Sequence, residues 1–407
     1  VSRNPPADEG TFIPAWIGEL ELAAPIVALT APPRADGTHY RRARMLVRTC
    51  GTPLGVVELE LVDGTATAET VQAALAEQLG PLPPATPGSP ESSSADERLV
   101  SVVICTRDHP EPLARAIAAV LASSHTDLEL IVVDNAPSDE ATRTLVEALE
   151  DARVRYVLEP AAGLSRARNR GLAEARGEIV AFTDDDCEPD VGWIDGLLTG
   201  FARGEKVGLV TGLIPMAALE NEHQQYFDDR VQWSNNFAPR LFDLADNRPD
   251  HPFFPYAAGI FGTGANFALT AETARAVGPF DVALGAGAPT RGGEDLDYFV
   301  RTLFCDGRQI AYEPRAIVWH HHRADADSLA QQMYGYGSGF TAYAFKTATT
   351  PRHFLRISRL TASFLWRRIV RREKTYGVDT GHGELRRLQR RGLLAGPWLY
   401  LRARLAR

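Results

Sequence analysis

Cysteine is scarce in this 407-residue chain. The four, Cys50, Cys105, Cys187 and Cys305, lie far apart and form no Cys-x-x-Cys pair. That excludes a disulfide-stapled scaffold and a cysteine zinc site, and it fits a reducing cytoplasm. No run of about 18 apolar residues occurs, so no membrane-spanning helix is expected. Residues 1–10 lack the basic-then-apolar pattern of a secretory leader. Lysine is rarer than cysteine: Lys206, Lys346 and Lys374 are the only three, and the other basic residues are arginine. In an alanine-rich chain that reads as codon bias rather than phosphate recognition. A net charge of −9 argues against a surface that coats nucleic acid, and no nucleic-acid partner is expected. No internal repeat is visible.

What is present is a globular composition, 44% hydrophobic and 23% charged, long enough for two or three domains. The run PLPPATPGSPESSSADE at 81–97 cannot bury a core and reads as a linker. Residues 1–80 before it read as a small α+β domain, with strands at 41–50 and 55–62 and a helix at 68–79. Residues 98–325 read as an α/β domain. Continuous apolar runs at 99–106, 128–134, 153–159 and 178–184 alternate with helical patterns at 113–123, 138–150 and 164–175, the signature of a mostly parallel sheet. Residues 326–407 read as a basic helical region. Within it, 351–407 holds 15 basic side chains against three acidic ones, a net of +12, which leaves −21 on the rest of the chain.

Parallel sheets bind ligands at the carboxyl ends of their strands. The first strand ends in Thr106-Arg107-Asp108, the second in Asp134-Asn135 and the fourth in Asp184-Asp185-Asp186. Three consecutive carboxylates after a buried strand repel one another unless a cation is near, and Mg²⁺ or Mn²⁺ on carboxylate oxygens normally partners a phosphate. Helix capping is the competing reading. Two more groups stand out. Gly292-Gly293-Glu294-Asp295 opens a helical pattern, and Trp319-His320-His321-His322 ends a strand-like one. Alternation puts His320 and His322 on one face, where a metal or phosphate contact is one role and structural packing the other.

Seven segments together resemble the inverting glycosyltransferases of family 2, which have the GT-A fold. They are SVVICTRD (101–108), LIVVDNAPSD (130–139), GLSRARNRGLAEARGEIVAFTDDDCEPDVGW (163–193), GTGANFALT (262–270), GPFD (278–281), GGEDLDYFVR (292–301) and YEPRAIVWHHH (312–322). The resemblance implies a nucleotide-diphosphate-sugar donor, an acceptor hydroxyl and a Mn²⁺ or Mg²⁺ cofactor. It implies that Thr106, Arg107 and Asp134 hold the base and that Asp184 lies near the ribose, with Asp185, Arg168 and Asn169 beside the donor. Asp186 and His320 would hold the metal, with His322 as a further ligand candidate. Asp295 matches the general base, with Glu294 paired to it. A nucleotidyltransferase would use the same base and metal sites but gives no role to the Glu-Asp pair. A non-catalytic carbohydrate- or partner-binding protein of the same fold would have lost Asp186 or Asp295. A dinucleotide-binding reading of Gly262-x-Gly264 fails because it does not follow the first strand.

The aromatic- and amide-rich stretch 215–260 is the expected acceptor region. Apolar and aromatic residues interleaved with arginine in 351–407 suggest peripheral contact with the inner face of an anionic membrane. Shielding of the acidic catalytic domain and a homo-oligomer contact are the alternatives.

Overall fold

The computed structural model describes residues 12–81, 97–360 and 383–406. The Pro/Ser-rich run lies almost wholly outside them, as does most of the helical pattern at 357–370.

Residues 12–81 contain strands β1 (Ala15–Glu21), β2 (Leu29–Thr30), β3 (Arg42–Thr49), β4 (Thr52–Glu60) and β5 (Thr65–Ala66), then helix α1 (Ala68–Leu79). Thr67 caps that helix, its hydroxyl accepting from the Thr70 N–H at 3.2 Å. β3 and β4 pair as a hairpin, and β1 adds to β3 in parallel. Period-two alternation gives this sheet two working faces. Met45, Val47, Val57 and Leu59 pack with Val71 and Leu75 of α1. Leu46, pointing the other way, packs on Leu213 and Ile317 of the larger sheet.

The larger sheet begins with β6 (Val100–Thr106), β7 (Leu128–Asn135), β8 (Val154–Glu159) and β9 (Ile179–Asp184), joined through α2 (Pro110–Leu121), α3 (Ala141–Glu147) and α4 (Leu164–Glu174). All four strands are parallel, in the spatial order β8-β7-β6-β9. The apolar runs are continuous because both faces are covered: α2 and α3 contribute to one core and α4 to the other. The chain continues through β10 (Cys187–Pro189), α5 (Trp193–Phe201), β11 (Val207–Leu213), α6 (Glu222–Val231), β12 (Arg240–Phe242), β13 (Asn266–Thr270), α7 (Ala271–Val277), α8 (Glu294–Leu303) and β14 (Gln309–His320). β13 enters antiparallel between β9 and β11, β14 lies parallel to β11, and β10 and β12 pair antiparallel with β14. The product is a nine-stranded, mostly parallel sheet with helices on both faces, the GT-A arrangement.

Two long helices follow, α9 (Ala326–Thr349) and α10 (Gly383–Leu405), packed on each other, with Tyr343 of α9 joining the larger sheet's second core. No described helix is long and apolar enough to cross a membrane.

Candidate active site

The carboxyl ends of β6, β7 and β9 meet at a cleft of about 690 Å³. Thr106, Arg107, Asn135 and the three consecutive aspartates line it. The 262–265 turn, the Gly292–Leu296 segment and residues of α9 line it as well.

The three aspartates have three different environments. Asp184 faces the buried Arg168 (3.4 Å), yet burial outweighs that cation and pushes its carboxyl up to about 6. Asp185 turns toward β6 and α2, where Thr106 Oγ1 donates to it at 2.7 Å and His109 Nδ1 lies 3.4 Å away. Asp186 faces His320 Nε2 at 3.5 Å and Arg323 at 3.3 Å. Burial opposes its ionisation, but those two cations outweigh it and hold the carboxyl well below the usual range.

Asp186 and His320 therefore present a carboxylate oxygen and an imidazole nitrogen to one point. Cys187 Sγ completes a cluster whose ligand atoms all lie within 4.8 Å of one another. Burial raises the Cys187 thiol and keeps it neutral, so it is a poor donor to a hard cation. The oxygen–nitrogen pair fits Mn²⁺, and Mg²⁺ less well because of the imidazole. His322 shares the buried side of the strand with His320 but faces Asp228 (3.8 Å), while His321 points the opposite way to Glu188 (2.7 Å).

Gly293, which also lines the cleft, takes the left-handed conformation (φ +88°) and starts α8, so Glu294 and Asp295 occupy its first turn. Asp295 accepts from the Gly264 N–H at 2.9 Å and from the Leu296 N–H at 2.8 Å, and it lines the cleft. Glu294 is buried against Arg168 (2.9 Å). Burial and the adjoining Asp295 raise its carboxyl despite that arginine. Arg168 also donates to the Gly264 carbonyl oxygen at 2.9 Å, so one guanidinium ties β9, the 264 turn and α8 together.

The remaining expected residues are placed as follows. Thr106 and Arg107 line the cleft. Asp134 is fully buried and does not line it; Tyr156 donates to its Oδ2 at 2.9 Å, and Oδ1 has no hydrogen-bond partner. Asn169 lies outside the cleft, its amide paired with both backbone groups of Phe280 (3.0 and 2.7 Å). In the 215–260 stretch Trp233 lines the cleft, whereas Tyr226, Phe227, Phe254 and Tyr256 are buried in packing.

Sequence reasoning passed over His109, Arg323, Gln332, Tyr336 and Phe340, all of which line the cleft. His109 and Arg323 adjoin motifs that were read. The α9 residues had a weaker signal, the glycines in YGYGSGF (334–340). They let α9 approach the acidic turn: a Cβ on Gly293 would run into the Gly339 carbonyl oxygen, and one on Gly339 would meet the Gly292 carbonyl carbon at 2.5 Å.

A family model described as glycosyl transferase family 2 matches residues 101–261. The succinoglycan biosynthesis protein ExoM of Rhizobium meliloti is 30% identical over 251 residues, 58% of this chain and 72% of that protein. The chain belongs to glycosyltransferase family 2. Pre-mycofactocin glycosyltransferase of Mycobacterium tuberculosis is 29% identical over 255 residues, 60% of this chain and 48% of that protein. The chain thus spans about half the length of that relative. A mannosyltransferase from Pyrobaculum calidifontis, solved with GDP-Man and Mn²⁺, aligns with a TM-score of 0.45 at 17% identity, over 76% of this chain and 86% of that one.

Proposed function

We propose that the protein moves a sugar from a nucleotide-diphosphate donor to an acceptor hydroxyl, with inversion and with a divalent cation held by Asp186 and His320. One observation carries the reading: Asp295 lines the same cleft as Asp186 and His320. A donor filling the cleft would meet both a cation site and a carboxylate. Asp295 would take the acceptor's proton as that oxygen attacks the anomeric carbon and the bond to the diphosphate oxygen breaks. The two N–H groups it accepts from fix its orientation. When bound, the cation would neutralise charge on the departing diphosphate. Glu294 and Arg168 would hold the turn in place rather than react. At the base end, Thr106 and Arg107 line the cleft and would meet the base, with Asp134 buried beside Thr106 on the neighbouring strand.

The acceptor would be presented at an anionic membrane surface. Leu394, Trp398, Leu401 and Leu405 share one face of α10 and are 42–85% exposed, with Arg391, Arg402 and Arg404 among them.

The test is a mass-spectrometric screen of nucleotide sugars for hydrolysis and transfer, with Mn²⁺, with Mg²⁺ and in EDTA. One donor should be consumed in a metal-dependent way. Undiminished turnover in excess EDTA, or an NMR product spectrum with retained configuration, would refute the corresponding part.

A further inference from the structure

A line of buried polar side chains leads from the cleft into the N-terminal sheet. His320 turns Nε2 toward Asp186, and its other nitrogen, Nδ1, is 2.7 Å from His322 Nδ1. His322 Nε2 faces Asp228 Oδ1 of α6 at 3.8 Å, too far for a hydrogen bond, and it has no other partner. Asp228 Oδ2 accepts from Arg44 Nη1 of β3 at 2.8 Å. Arg44 Nε donates to Glu58 Oε1 of β4 at 2.6 Å. His320, His322 and Asp228 are each more than nine-tenths buried.

Two imidazole nitrogens in hydrogen-bond contact share one proton, so one donates and the other accepts. For His320 Nε2 to offer a lone pair to a cation, the proton of that ring must sit on Nδ1. Nδ1 then donates to His322 Nδ1. The proton of the second ring is left on Nε2, on the side of the Asp228 carboxylate. The reverse tautomer would aim a His322 lone pair at that carboxylate and a His320 N–H at the cation. Asp228 opposes it electrostatically, and Arg44 holds Asp228 in place. Phe227 packs against the His322 ring at 4.6 Å between centroids, so the ring has little room to turn away.

We propose that Arg44, Asp228 and His322 are positioning residues of the metal site, setting the tautomer and orientation of His320 from the N-terminal sheet inward. His322 then holds the ligand rather than the cation, and the N-terminal sheet is a working part of the catalytic centre. The inference rests on the reading of Asp186 and His320 as the cation site. Groups behind a metal-bound histidine typically change metal affinity by roughly 10–100-fold.

The experiment uses the full chain and Mn²⁺ alone, with free Mn²⁺ followed by electron paramagnetic resonance. Asp228→Asn, His322→Gln and Arg44→Gln should each weaken Mn²⁺ binding by roughly 10–100-fold. Arg44→Lys, which keeps the charge, should recover part of the loss. With diamagnetic Mg²⁺ in place of Mn²⁺, ¹⁵N-histidine NMR should show one Nδ1–H tautomer for His320 in the wild type and a mixture in Asp228→Asn. A purely structural salt bridge would not change that spectrum. Asp186→Asn separates this inference from the reading beneath it. If Asp186→Asn binds Mn²⁺ like the wild type, both fall. If it loses Mn²⁺ while Asp228→Asn and His322→Gln bind normally, the cation site stands and the positioning role is overturned. Should Arg44→Gln fail to fold, Asp228→Asn and His322→Gln decide the matter, being close in shape to the residues they replace.

Discussion

The aspartate triplet differs residue by residue, and Asp184 and Asp186 make opposite predictions. Asp184 has a folded-state value of about 6, above the ordinary carboxylate value of about 3.9. A carboxyl raised in this way costs stability as the pH climbs from the unfolded value through the folded one, and costs nothing below both. Asp184→Asn should therefore raise the melting temperature at pH 7–8 in EDTA, and the gain should vanish below about pH 3. Asp186 is shifted the opposite way, so it stabilises the fold above the ordinary carboxylate range and loses that effect only in strong acid. Asp186→Ala should abolish turnover and lower the melting temperature at neutral pH. From sequence, three adjacent carboxylates imply mutual repulsion, and removing one should bring relief. The fold instead gives Asp186 two basic partners, His320 at the end of β14 and Arg323 just beyond it, and that pairing is not visible in the triplet itself. At Asp295 the expectation is kinetic. Asp295→Asn should reduce kcat by roughly 10²–10⁴-fold with little change in donor binding, measured by single-turnover assay and titration.

At the scale of elements, α9 forms part of the cleft by coming within backbone contact of the acidic turn. Gly339→Val should force the two apart, at a cost of about 1–3 kcal/mol typical of overpacking. Donor hydrolysis should fall more than donor binding, because Asp295 belongs to the turn that moves. The four parallel strands and their helices were legible from apolar runs and periodicity, since a strand buried on both faces declares itself locally. β13 was legible only as a motif, because a five-residue strand entering antiparallel has no pattern of its own. The contact of α9 with the turn was not legible either. Glycine spacing shows that a helix can come close to something, but not to what. Asn169 shows the converse: a position inside a matching motif, expected beside the donor, can face away from the cleft.

For the whole molecule, the charge asymmetry and the exposed stripe on α10 lead to a binding test. Co-sedimentation with anionic vesicles should be strong at low salt and fall steeply as salt rises. Leu394→Glu combined with Trp398→Glu should abolish it while leaving hydrolysis of a soluble donor intact. Binding that survives the double change would move the contact elsewhere.

The N-terminal sheet has its own consequence for the molecule as a single chain. Arg44 reaches Asp228, Arg48 reaches Asp190, and Leu46 is buried on Leu213 and Ile317. Together these contacts hold the two parts independently of the peptide that joins them. An engineered protease site within 81–97 should therefore yield a nicked enzyme whose fragments co-elute and keep their activity. Expressing residues 98–407 alone should not match it. That fragment would expose the apolar seat of Leu46 and leave Asp228 without its arginine, and breaking a buried ion pair from one side costs about 3–5 kcal/mol. The Pro/Ser-rich run marks where the chain can be cut, but not where the enzyme can be divided.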